Sequence, residues 1–74
     1  MLYVMTHYQQ AQENPYLTAG KFYLVCDRKE YSPNLCKIQD DTGYWIPINI
    51  NSPSAHLDDV GVFKLYEVKE VTGE

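Results

Sequence analysis

The sequence predicts an all-β fold: a small roll or barrel of about five antiparallel strands with one short 3₁₀ turn. Three observations point there. Short runs of β-branched and aromatic residues recur along the chain, bounded by Gly, Pro, Asp, Asn or Ser. Apolar residues alternate with a period of two in the clearest stretches, such as Cys36-Lys37-Ile38 and Ile46-Pro47-Ile48. No long stretch carries helical periodicity. Curling such a short sheet toward closure protects its edges. Residues 1–70 are expected to form a single domain, and residues 71–74 a frayed tail.

The first strand is expected over residues 2–7, where Leu, Tyr, Val and Thr favour extended backbone. Leu2 and Val4 are the preferred inward pair, with Tyr3 and Met5 as the alternative. Residues 8–16, YQQAQENPY, are polar and form a long first loop or a single helical turn. Pro15 would end such a turn, because it biases Asn14 toward extended geometry. Leu17-Thr18-Ala19-Gly20-Lys21 reads as a turn in which Gly20 takes the unusual dihedral. The second strand follows over residues 22–27. Phe22, Leu24 and Cys26 share one face and Tyr23 and Val25 the other, so both faces need cover.

Residues 28–34, RKEYSPN, form a surface loop. The third and fourth strands, residues 35–39 and 44–50, make a hairpin around Asp40-Asp41-Thr42-Gly43. Asp bonds its own backbone in a turn and Gly tolerates positive φ. Pairing across this turn sets Ile38 near Ile46 and Cys36 near Ile48, with Lys37 and Gln39 on the opposite face. Ile46, Ile48 and Ile50 then fill the inner face, which turns Trp45 outward. Pro47 cannot donate to a ladder, so it implies an edge position or a bulge. Residues 54–57 suit a 3₁₀ turn capped by Asn51 or Ser52 and anchored by Leu57. Gly61 resets the direction into a last strand over residues 62–68, with Phe63 and Leu65 on one face.

Composition narrows the function classes. Ten acidic residues against six basic ones leave a net charge of −4. That disfavours a nucleic-acid binder, which relies on clustered Lys and Arg. Seven Tyr, two Phe and one Trp are rich for 74 residues and supply apolar area to a thin core. No segment has the apolar length of a membrane span, and MLYVMTHYQQ lacks the basic start of a secretory signal. A cytoplasmic protein that uses no membrane is the expectation. Cys26 and Cys36 flank one loop, and reduced thiols are expected over a cross-strand disulfide. His7 and His56 with these cysteines match no metal spacing, so neither a metal nor another cofactor is expected. The carboxylates pair up in turns, at Asp40-Asp41 and Asp58-Asp59, and build no catalytic constellation. An enzyme is not expected.

The stretch Leu17-Thr18-Ala19-Gly20-Lys21 and the strand after it resemble the turn that follows the long first loop of SH3-like barrels. Gly43-Tyr44-Trp45-Ile46-Pro47-Ile48-Asn49 resembles the Gly-x-x-Pro-x-Asn end of that pattern. The chain from Pro15 to Val68 is also similar to small phage-encoded proteins of uncharacterised role that carry SH3-like folds. Leu35 stands where a true SH3 domain carries its peptide-gripping Trp, and Trp45 lies beyond it. The resemblance implies a single SH3-like domain. It also implies a phage accessory protein or host-protein inhibitor acting in the host cytoplasm.

The aromatics are the candidate contact residues. Outward Trp and Tyr bury much area at little entropic cost. Trp45, Tyr44 and Pro47, with loop residues Tyr16 and Tyr8, are therefore the expected protein-binding set. The structural alternative puts Trp45 over an open end of the barrel or under the first loop. The leading function is a non-enzymatic protein-interaction module. The alternatives are an assembly protein acting by self-association, or a small nucleic-acid binder using aromatics with Lys37 and Lys64.

Overall fold

A computed structural model describes residues 1–68. The tail expected at 71–74 lies outside the described residues. Among the described residues, five strands form two antiparallel sheets: β1 (Leu2–Met5), β2 (Tyr23–Leu24), β3 (Leu35–Gln39), β4 (Trp45–Asn49) and β5 (Lys64–Glu67). One sheet has the order β2-β1-β5 and the other is the β3-β4 hairpin. A 3₁₀ turn, Ala55–Leu57, precedes β5. The all-β expectation holds at this level.

The hairpin follows its alternation. Cys36 pairs with Ile48 and Ile38 with Ile46, and the register runs without interruption from Leu35–Asn49 to Gln39–Trp45. Cys36, Ile38, Ile46, Ile48 and Ile50 are buried, while the strand residues that alternate with them, Lys37, Gln39, Trp45, Pro47 and Asn49, are exposed. Lys37, opposite Pro47, exchanges both of its backbone hydrogen bonds with Cys26 on its other side. Lys37–Pro47 is thus a non-hydrogen-bonded pair, and the N–H that Pro lacks would have faced the outer edge. Pro47 sits at an edge, and no bulge is needed.

Two corners join the sheets. Cys26 bridges to Lys37, linking the end of β2 to β3. Beyond β4, the Asn51 N–H donates to the Phe63 carbonyl and Pro53 pairs with Val62, which leads into β5. The core enclosed between them contains Val4, Leu17, Tyr23, Ile38, Ile48, Ile50, Leu57 and Phe63.

Several elements depart from the sequence expectation. Regular pairing of the second strand covers only Tyr23–Leu24, because Gly20 and Asp27, both with positive φ, turn the backbone on either side. Tyr23 is buried, whereas Phe22 and Leu24 lie on the outer face. Phe22 makes edge-on contacts there with Tyr3 and Tyr66, at ring-centroid distances of 6.1 and 5.6 Å. That contact also leaves Tyr3 half-buried, although Val4 is the residue that faces the core. Residues 8–16 form an irregular loop without a helical turn. The 3₁₀ cap is Ser54, not Asn51 or Ser52: its Oγ accepts from the His56 N–H. Asn51, Asp58 and Asp59 take the positive φ angles around this turn. Gly61 has a different role. A Cβ there would sit 2.6 Å from the Leu57 Cβ and 2.7 Å from the Tyr8 Cβ, so Gly allows the close approach. Cys26 opposes Lys37 and not Cys36, and both cysteines are free thiols.

Candidate functional site

The first loop is held by a buried amide. Gln10, near the start of the polar run 8–16, is buried, and its Oε1 accepts from the Tyr16 and Leu17 N–H groups at 2.8 and 3.0 Å. Its Nε2 donates to the His56 carbonyl at 2.6 Å. One side chain thus ties both arms of the loop to the 3₁₀ turn. Leu17 is driven into the core beside it.

Asp41 provides the second tie. Its carboxylate accepts from the Thr18 hydroxyl at 2.7 Å, the Tyr23 hydroxyl at 3.0 Å and the Lys21 ammonium at 2.6 Å. Its N–H donates to the Tyr16 carbonyl at 2.9 Å. Burial raises the Asp41 pKa, but bonds from Lys21, Thr18 and Tyr23 outweigh it and hold the value below the ordinary range. The hairpin turn is therefore fastened to the loop that follows residue 16.

Between these ties lies a groove of about 460 Å³. The first loop contributes Asn14 and Tyr16, and the 3₁₀ turn contributes His56. The hairpin contributes Asp40, Thr42, Tyr44, Trp45 and Ile46. Tyr16 is oriented by His56: its hydroxyl and His56 Nδ1 are 2.9 Å apart, and the rings meet edge to face. Trp45 is 54% exposed and Tyr44 75% exposed. Asp40 is 8% exposed, and its Oδ1 accepts from the Thr42 N–H, the Thr42 hydroxyl and the Tyr44 N–H. Burial raises the Asp40 pKa, and these bonds more than reverse it, leaving the carboxyl below its usual value.

Three of the five expected contact residues, Tyr16, Tyr44 and Trp45, come together in this groove. Pro47 lies outside it, lining a separate cleft of about 280 Å³ with Leu35, Asn49 and Pro53. Tyr8 lies apart as well: its hydroxyl donates to Asp58 Oδ2 at 2.6 Å. This bond helps to hold Asp58 low and raises the Tyr8 pKa. His56, Asn14 and Asp40 join the groove without a local sequence signal, because they meet only through the fold. Among the described residues, no three His, Cys, Asp or Glu side chains gather as metal donors. No helix among the described residues is long and apolar enough to cross a membrane. No family model, curated protein or solved structure matches the chain.

Proposed function

We propose that the chain is a non-enzymatic protein-interaction module built on an SH3-like arrangement of strands. It receives an extended segment of a partner protein in the groove between the first loop, the hairpin turn and the 3₁₀ turn. The carrying observation is the convergence of Tyr16, Tyr44 and Trp45 on one groove. Exposed aromatics on a rigid frame bury large area for little lost freedom. Gln10 and Asp41 supply that frame, since each bonds both the first loop and a second element. The SH3-like reading is supported by strand order: β5-β1-β2, then Cys26–Lys37 into β3-β4, then residues 51–53 back to β5. A phage accessory or host-inhibiting role rests on the sequence resemblance alone.

Peptide display tests the reading. Random peptides are selected on the purified protein, and the enriched sequences are measured against Trp45→Ala. We expect binders that lose about tenfold or more in affinity with that variant, the loss of one anchor contact. Failure to enrich any peptide, or equal binding to a folded Trp45→Ala protein, contradicts the groove as the contact site.

A second reading, self-association, is favoured by one observation. The outer face of β2-β1-β5 carries Phe22 and Leu24, 47% and 40% exposed, next to Tyr3 and Tyr66. Light scattering across a concentration series decides it: a constant monomer mass sets this reading aside.

A further inference from the structure

We propose that the groove is a cation site, and that the partner's anchor is an arginine or lysine side chain seated on Trp45 and Tyr44 against Asp40. This rests on the groove being the contact surface and adds the chemistry of what enters it. Among the described residues, Asp40 carries the only carboxylate in the groove, and no Lys or Arg lines it. The residue is more than nine-tenths buried. All three side-chain bonds it accepts go to Oδ1. Among the described residues Oδ2 accepts no hydrogen bond, and no Lys or Arg pairs with Asp40. No fully buried side-chain nitrogen or oxygen among them lacks a partner, so this free oxygen is reachable from solvent.

Neighbouring carboxylates differ in just this respect. Asp41 spends its charge on Lys21, and Asp27 faces Lys29 and Lys37. Asp40 is the more buried of the hairpin pair and, among the described residues, has no such counter-ion. The three bonds to Oδ1 favour the ionised carboxylate, so its open oxygen presents a negative charge to an entering cation. The groove wall beside it is aromatic, and the faces of Trp and Tyr attract cations through their quadrupoles. Lys21 already sits 5.3 Å from the Tyr23 ring centroid next to Asp41, so the fold itself uses this pairing of carboxylate, cation and ring. A guanidinium or an ammonium on an extended segment satisfies both requirements at once. The chain's net charge of −4 steers such a segment toward it.

The test is a nuclear magnetic resonance titration of the ¹⁵N-labelled protein. The probes are N-acetyl-arginine amide, N-acetyl-lysine amide and N-acetyl-citrulline amide, the last being arginine-shaped but uncharged. The variant is Asp40→Asn, which keeps an oxygen for the turn bonds and removes the charge. We expect the Trp45 indole and the Thr42 and Tyr44 amides to shift with arginine, lysine or both, and which of the two binds more tightly names the source. Citrulline and the Asp40→Asn protein should both bind about tenfold more weakly or worse, the loss of one charge-assisted contact. Citrulline shifting these signals as strongly as arginine overturns the proposal, as does undiminished binding by Asp40→Asn with an unchanged fold. If display-selected peptides still need Trp45 in that case, the groove stands and only its cation chemistry falls.

Discussion

Gly61 has no room for a side-chain carbon. Its place is pinched between Leu57 and Tyr8, whose Cβ atoms would lie under 3 Å from an added methyl group. Both neighbours are fixed: Leu57 is in the core, and the Tyr8 hydroxyl is tied to Asp58. Gly61→Ala should therefore destabilise the fold by about 1–3 kcal/mol, the usual cost of overpacking. Denaturant unfolding measures it, and an unchanged midpoint would show that the 3₁₀ turn and first loop give way easily. Trp45 is the opposite case. The residue is more than half exposed, so Trp45→Ala should cost less than about 1 kcal/mol in the same assay. A larger loss would make Trp45 a structural cover and weaken its role as an anchor.

Among the elements, the hairpin and the first loop are coupled, and the coupling is polar. Gln10→Ala removes an acceptor shared by two backbone N–H groups and a donor to a third site. It should cost about 2–3 kcal/mol and speed hydrogen exchange at the Tyr16 and Leu17 amides. Unaltered exchange at those amides would mean that the loop holds itself. The turn carboxylates set the acid limit. Asp40 and Asp41 both have depressed pKa values in the fold, so they bind fewer protons folded than unfolded around that range. Their stabilising effect is complete above the unfolded value of about 3.9 and fades as pH falls through the lower folded values. Carboxyl titration by nuclear magnetic resonance should give midpoints below that of a free aspartate. Midpoints at or above it would contradict the bonds assigned to this turn.

For the molecule as a whole, what the sequence made legible depended on how local the information was. The hairpin register was readable because strict alternation and an Asp-Asp-Thr-Gly turn admit one pairing, and outward Trp45 followed from it. In FYLVC the apolar residues cover both faces, so periodicity could not say that Tyr23 goes in while Phe22 stays out. Gln10 looked like one more loop amide. Only the fold shows it buried, because its partners at residues 16, 17 and 56 converge in space. The groove was half legible for the same reason. Its aromatics stand out by type, but the meeting of Tyr16 with His56 spans forty residues.

Among the described residues, the groove and the outer face of β2-β1-β5 are the two candidate contact surfaces, and partner binding belongs to the first. Titrating a display-selected peptide into the ¹⁵N-labelled protein decides between them directly. The largest shifts should fall on the Trp45 indole, Tyr44, Tyr16 and His56. Shifts centred on Phe22, Leu24 and Tyr66, with the groove silent, would contradict it.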